Sequence, residues 1–157
     1  MKYYAGIGSR ETPPEVLTLM TNIAMRLHTN GWTLRSGGAV GADTAFEKGT
    51  TRKEIFGARD CSPAAMEISS MYHPNLAACA EYVRLLHGRN AMIMLGTYVK
   101  GNPLPVSTVI CWTPEGKVTG GTGQALRMAE GLGIPVCNLG DPLVFERAQD
   151  LSIFDDM

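Results

Sequence analysis

Two glycine-rich segments have the residue types and the spacing of anion-binding loops. Residues 36–43 read SGGAVGAD and residues 119–123 read TGGTG, and each segment lies between a β-like run and a helix-like run. In that arrangement, backbone N–H groups and the positive end of a helix dipole point toward a bound anion. We therefore predict that both segments hold phosphate groups, either of a ligand with two polar ends or of one nucleotide that they grip from the two sides of a cleft.

The first segment supplies these candidate ligand-binding residues: Ser36, Gly37, Gly38, Ala39, Gly41 and Asp43. Its glycines permit positive φ angles and let a ligand touch the main chain. Their spacing matches neither a Walker loop nor the dinucleotide-binding fingerprint. Tight packing of the strand against the helix is an alternative explanation for the same glycines. Asp43 has two interpretations, a carboxylate that caps the next helix or a ligand of a ribose hydroxyl, and both stay open at this point.

The second segment adds four candidates, Gly120, Gly121, Thr122 and Gly123. The hydroxyl of Thr122 can donate to an anion alongside the backbone amides, whereas a flexible lid or hairpin is the alternative interpretation of the cluster. Two further candidates, Trp112 and Thr113, lie at the end of the preceding apolar run. The indole of Trp112 either stacks on a base, a role also open to Phe46, or belongs to the core.

Polar residues at two other interruptions complete the candidate site. Gly8, Ser9 and Arg10 follow the first β-like run, where the Arg10 guanidinium can bind a phosphate or carboxylate through two hydrogen bonds. Arg89 and Asn90 separate two helix-like runs and can reach a phosphate and a sugar or base edge. Capping of the following helix is the alternative role of Asn90.

Alternating β-like and helix-like runs organise these segments. Apolar and β-branched residues predict strands over residues 3–7, 32–35, 54–56, 106–112 and 134–138. Helical periodicity and capping signals predict a first helix that is capped by Thr12, begins at Pro13 and stops at Asn30-Gly31. Further helices are predicted over residues 43–48, 62–71, 76–86, 91–98 and 123–131. This order predicts an α/β fold with one mostly parallel sheet and helices on both faces.

The predicted topology brings the polar segments together. Ligands of open parallel sheets bind outside the carboxyl ends of the strands, and four of the candidate segments follow such ends. With 157 residues, 45% hydrophobic and 18% charged, the chain fits a single domain over residues 1–157 with a core from about residue 3 to 139 and a short C-terminal tail. In that tail Asp155 and Asp156 are expected to be solvated.

Charge and hydropathy limit the partners that we expect. The formal net charge of −1 gives no general attraction to nucleic acid or to an anionic membrane, so nucleic-acid binding is not favoured. No run of 18 apolar residues and no hydrophobic signal region occur, which leads us to expect a soluble, cytoplasmic protein without membrane association.

The cysteines and histidines carry no recognisable motif. Cys61, Cys79, Cys111 and Cys137 are scattered, with no C-x-x-C pair and no histidine at zinc-site spacing. We therefore expect reduced thiols and no metal site. No catalytic triad is recognisable either.

Taken in order, the segments resemble the SLOG superfamily of Rossmann-like nucleotide-binding proteins, which includes the DprA/Smf and the LOG (lysine-decarboxylase-like) proteins. Residues 6–10 (GIGSR) resemble the family's opening G-S-R strand, and residues 36–45 are similar to the S-G-x-A-x-G-x-D-x-x-A segment of DprA. Residues 88–93 are similar to R-N-R-x-I, and residues 120–125 stand at the second glycine loop. The resemblance covers residues 3–139 and implies a single-domain Rossmann-like fold.

One departure from the family pattern affects the expected chemistry. LOG phosphoribohydrolases resemble this layout but carry P-G-G-x-G-T-x-x-E, and here Arg127 stands in place of the glutamate while Thr119 replaces the proline. Cleavage of an N-glycosidic bond would therefore lack its carboxylate unless Asp43 or Glu47 took that role.

The resemblance implies a nucleotide or an NAD-derived signalling nucleotide, such as an ADP-ribose derivative, that the protein senses or sequesters without a required cofactor. Association into a homo-oligomer through helices beside the cleft is also implied. Two alternatives stay open: a nucleotide N-glycosidase or phosphoribohydrolase of LOG type, and a DprA-like binder of single-stranded DNA in recombination.

Overall fold

A computed structural model describes residues 2–157. Five parallel strands form one sheet in the order β3-β2-β1-β4-β5. The strands are β1 (Lys2–Gly6), β2 (Trp32–Ser36), β3 (Lys53–Ile55), β4 (Val109–Cys111) and β5 (Val136–Asn138). The α-helices are α1 (Pro14–Thr29), α2 (Ala42–Lys48), α3 (Pro63–Ser70), α4 (Glu81–Gly88), α5 (Asn90–Leu95), α6 (Gly120–Gly131) and α7 (Pro142–Ala148). Shorter 3-10 helices cover Ala58–Asp60, Leu76–Ala78, Pro114–Gly116 and Leu151–Asp156.

The sheet separates two hydrophobic cores, because alternate residues of a strand point to opposite faces. Tyr3 and Ala5 pack into the core beneath α5 and α6, whereas Tyr4 packs into the core beneath α1 and α2. The predicted α/β fold with helices on both faces of a parallel sheet is confirmed, and the architecture is Rossmann-like. Within residues 2–157, no helix has the length and apolarity that crossing a bilayer requires.

The start of α1 differs from the prediction. The helix begins at Pro14 with Pro13 in the N-cap position, and no side chain caps it. Thr12 was expected to be that cap, but its Oγ1 donates to the carbonyl oxygen of Ser9 at 2.5 Å and so holds the turn after β1. The predicted end of α1 at Asn30-Gly31 is confirmed, and Gly31 has φ +88°.

The middle of the chain contains shorter elements than the periodicity indicated. The expected helix over residues 76–86 is a 3-10 helix followed by the separate helix α4. The expected strand over residues 106–112 is reduced to β4. Backbone N–H groups of Leu104 and Val106 donate to the carbonyl oxygens of Leu95 and Met94 at the end of α5. Those groups are thus committed to a helix end and do not extend the sheet.

The C-terminal residues pack onto the rest of the fold. They form α7 and the last 3-10 helix, and the side chains of Ala148 and Phe154 are buried in the core with α1. The carboxylate of Asp155 is exposed, as expected, and it also accepts two hydrogen bonds from Arg26, at 2.5 and 2.8 Å, and one from Asn30 at 2.8 Å.

We expect Met20→Ala to lower the free energy of unfolding by about 2–5 kcal/mol, because the side chain of Met20 is fully buried in the core beneath α1. Met25→Ala is the matched control on the same helix, since 55% of Met25 is exposed, and its effect should stay within about 0.5 kcal/mol. Urea unfolding of both variants measures the difference. Equal effects would contradict the assigned orientation of α1.

Candidate functional site

A cleft of about 1040 Å³ lies beyond the carboxyl ends of the strands. Segments that follow β1, β2, β3 and β4 line it, together with α4 and the start of α5. The strand order reverses beside β1, with β2 on one side and β4 on the other, and such a switch point is where open parallel sheets bind ligands. The volume is slightly above the range of about 300–1,000 Å³ that is usual for small-molecule sites.

The carboxylate of Asp43 organises the first glycine segment. Its Oδ2 accepts the backbone N–H groups of Gly37 and Ala39, each at 3.2 Å, and the N–H of Gly41 donates to Thr44 Oγ1 at 3.2 Å. These three amides are therefore satisfied inside the loop. Gly38 and Gly41 have φ angles of +74° and +108°, which other residues rarely adopt.

Arg89 packs against the bare main chain of this loop. A Cβ atom at Gly37 would overlap the Arg89 guanidinium, so only glycine permits the approach. Arg89 is 9% exposed and lines the cleft, and among the described residues its Nε has no hydrogen-bond acceptor. Burial lowers the pKa of Arg89, and the charge of Asp43 opposes that change. The cleft thus contains a buried cation with an unused donor.

Burial also affects two other titratable groups of the cleft. Desolvation raises the pKa of Asp43 to about 6, against the opposing effects of its backbone hydrogen bonds and of Arg89. The pKa of His87 is lowered by desolvation and by the neighbouring charges of His73, Arg127 and Arg89, which favours the neutral ring.

The start of α6 contributes unused backbone donors. Gly120, Gly121 and Thr122 line the cleft in the first turn of this helix, and the structure gives their N–H groups no acceptor. Gly120 has φ +68° at this entry. The last candidate of the segment, Gly123, does not line the cleft, because its Cα faces the backbone of Val118, where a Cβ would lie 2.8 Å from the carbonyl carbon.

The remaining predicted residues divide between the cleft and the interior. Gly8, Ser9, Arg10 and Asn90 line the cleft. Asn90 does not cap α5, since its Nδ2 donates to Gln124 Oε1 at 2.6 Å and ties α5 to α6. Gln124 is fully buried, and its Nε2 finds no acceptor in the part of the chain that the structure describes.

Ser36, Trp112 and Thr113 lie outside the cleft lining. The hydroxyl of Ser36 donates to the carbonyl oxygen of Gly6 at 2.6 Å, and Thr113 accepts a hydrogen bond from Asn138 at 2.7 Å. Trp112 packs against the core that contains α1, and Phe46 is fully buried there beside Tyr4. These residues therefore support the loops from the interior of the protein.

Asp43 and Glu47 were the carboxylates considered for glycosidic chemistry, and only Asp43 lines the cleft. Glu47, and Arg127 at the position of the family's glutamate, are engaged elsewhere. Glu47 Oε2 pairs with Lys53 at 3.2 Å, and Arg127 Nε donates to the carbonyl oxygen of Tyr72 at 3.2 Å. Neither residue lines the cleft.

Sequence reasoning missed the wall that α4 forms. Tyr82, Val83 and Leu86 line the cleft, and the first two are 65% and 39% exposed. The apolar spacing of this segment predicted a helix, and only the exposure of these side chains distinguishes a ligand surface from a core stripe. The other lining residues without a prediction are Ile7, Glu11, Val40, Gly57, Ala58, His87, Pro114, Thr119 and Ala125.

Comparison with known proteins adds no identification. The chain matches no family model, no curated protein and no solved structure. The resemblance to SLOG proteins therefore stays a prediction that depends on the motifs in the sequence.

We expect Gly37→Ala to destabilise the fold by about 1–3 kcal/mol, because the added methyl group would displace the Arg89 guanidinium from a packed position. Gly101→Ala is the matched control, since no described atom outside its chain neighbours lies within 4 Å of the new Cβ. Thermal and urea unfolding measure both effects. Indistinguishable variants would contradict the close approach of Arg89.

Asp43 should make stability depend on pH. Its pKa is about 6 in the folded protein and 3.8 as a free group, so the folded protein binds more protons than the unfolded chain between those values. The free energy of unfolding should therefore fall as pH rises through that window, by up to about 3 kcal/mol. Asp43→Asn keeps an acceptor oxygen for the loop amides and should remove this part of the slope. Parallel wild-type and variant curves in urea unfolding from pH 4 to 7 would contradict the raised pKa.

Proposed function

We propose that the cleft binds a nucleotide or an NAD-derived signalling nucleotide, such as an ADP-ribose derivative, and that the protein senses or sequesters this ligand. The observation that carries the proposal is a set of unused donors around one cleft. Arg89 Nε is buried without an acceptor, and the first N–H groups of α6 are unpaired in the same cleft. A buried donor without a partner, such as Arg89 Nε, is costly unless a ligand or water satisfies it. The N–H groups of Gly120 and Gly121 belong to exposed residues and are open to a ligand.

The phosphate groups fit the side of the cleft that carries these donors. Arg10 is exposed there and makes no ion pair with any residue of the described range 2–157, while Arg89 is buried. Arginine forms paired hydrogen bonds with phosphate oxygens, and the N-terminal dipole of α6 favours the same charge. We therefore assign the phosphate groups to the space between Arg10, Arg89 and Gly121.

The base fits the wall of α4. Tyr82 offers an exposed ring, and Val83 and Leu86 extend the apolar surface beside it. Aromatic faces stack on nucleobases with little dependence on base identity. We therefore propose Tyr82, in place of Trp112 or Phe46, as the residue that stacks on the base, because the side chains of Trp112 and Phe46 pack with the core.

Binding without conversion is favoured by the positions of the two carboxylates considered for glycosidic chemistry. Glu47 is paired with Lys53 outside the cleft lining, and Asp43 uses one oxygen to hold two loop amides. Arg127, at the position of the LOG glutamate, contacts Tyr72. The expected self-association stays a prediction.

Thermal shift and calorimetry with AMP, ADP-ribose, cyclic ADP-ribose isomers and cyclic dinucleotides test the proposal. A ligand at 100 times its Kd should stabilise the protein by about 2.7 kcal/mol. Arg10→Ala should weaken that ligand about tenfold or more, because it removes a charged hydrogen-bond donor. Arg147→Ala on α7 is the matched control, since Arg147 is exposed and does not line the cleft.

Three results, one from this experiment and two from separate assays with nucleoside monophosphates and with a single-stranded oligonucleotide, would contradict the proposal. If none of these compounds stabilised the protein, the proposal of nucleotide binding would be wrong. Release of free base from nucleoside monophosphates would indicate the N-glycosidase instead, and a salt-dependent shift of a single-stranded oligonucleotide without small-molecule binding would indicate the DNA-binding alternative.

A further inference from the structure

Three side chains that the sequence scatters come together at one margin of the cleft. They are His73 in the turn after α3, Cys79 after the following 3-10 helix, and His87 in the last turn of α4. Cys79 Sγ lies 3.9 Å from His73 Nε2, and the two imidazole centroids are 4.8 Å apart. One potential ligand atom from each residue lies within 4.8 Å of the others, and all three residues are half-buried.

The three ligand atoms favour a particular class of metal ion. Two imidazoles and one thiolate suit zinc and related divalent transition metals, whereas calcium and magnesium require oxygen ligands. In a tetrahedral zinc site the sulfur and nitrogen ligands lie about 3.6 Å apart. The distance between Cys79 Sγ and His73 Nε2 needs only a small contraction to reach that value.

The hydrogen bonds of the free protein are compatible with exchange for a metal. His73 Nδ1 accepts the N–H of Asn75 at 3.0 Å, and Cys79 Sγ donates to the carbonyl oxygen of Asn75 at 3.6 Å. Coordination through Nε2 places the ring proton on Nδ1 and releases the Asn75 amide, which is exposed and can bind water. The thiol proton of Cys79 leaves to solvent as the thiolate binds the metal.

Two neighbouring cations oppose a further positive charge. Arg89 and Arg127 both act on His87. The negative charge of the Cys79 thiolate offsets part of this repulsion, and Arg127 is directed to the carbonyl oxygen of Tyr72.

We propose that His73, Cys79 and His87 bind one divalent metal ion of the zinc class. Three protein ligands leave the fourth position of a tetrahedral site free for water or for another ligand. Because His87 also lines the cleft, the metal would lie at the cleft margin. This proposal does not depend on nucleotide binding.

Titration of chelator-treated protein with Co²⁺, followed by displacement with Zn²⁺, tests the site. We expect one equivalent of Co²⁺ to bind with a thiolate-to-cobalt charge-transfer band, with release of protons, and Zn²⁺ to abolish the band. Cys79→Ser should remove the band and weaken Zn²⁺ binding by at least about a hundredfold, since even residues that only support metal ligands are worth 10–100-fold. His87→Gln should weaken binding while leaving the thiolate in place.

Cys61→Ser is the matched control, because Cys61 Sγ also donates to a backbone carbonyl oxygen at 3.6 Å but lies outside the cluster. It should keep the band and the affinity. Circular dichroism of each variant shows that the fold is retained. Failure of the wild-type protein to bind either metal, or an unchanged band in Cys79→Ser, would overturn the proposal. Nucleotide binding can succeed or fail in the same protein without affecting this result.

Discussion

The approach of the Arg89 guanidinium to the main chain of Gly37 is the contact on which the cleft depends. It joins the loop after β2 to the junction of α4 and α5, and Asp43 places a carboxylate near the guanidinium while it holds the loop amides. A buried charge is tolerated only when a partner compensates it. The loop, the carboxylate and the arginine therefore form one unit, and the absence of a side chain at residue 37 makes that unit sterically possible.

The edge of the sheet that carries the cleft could be predicted from the sequence, whereas the direction of individual side chains could not. Parallel strands share a carboxyl edge, so the order of strands, glycine segments and helices was sufficient to bring Ser9, Gly38 and Gly121 together. Side chains alternate between the two faces of a sheet, so a shift of one residue along the strand reverses the face toward which a side chain points. Cys111 packs into one core and Trp112 against the other, and no pattern in the apolar run indicated that Trp112 would face away from the cleft.

The wall of α4 and the cluster beside it could not be predicted because they depend on a break in the chain. A continuous helix over residues 76–86 is consistent with the apolar spacing, but Ala80 is extended, with φ −58° and ψ 150°. This residue turns the chain between the 3-10 helix and α4, and it returns Cys79 to the side where His87 lies. Neither the composition of this segment nor its periodicity indicates that Ala80 is extended.

The cleft is formed mainly by loops at the strand ends, apart from the two hydrophobic cores, and this separation affects how mutation can alter the ligand specificity of the protein. Arg10, Val40, Tyr82 and Gly121 are exposed on the cleft and belong to neither core. Substitutions at such positions alter few of the buried contacts that maintain the folded state. A new ligand preference can therefore arise by mutation, or be selected from a library, on an unchanged sheet. Asp43 and Arg89, by contrast, line the cleft and are also buried in the contacts that hold the loop after β2, so a change of specificity at either position would also affect folding.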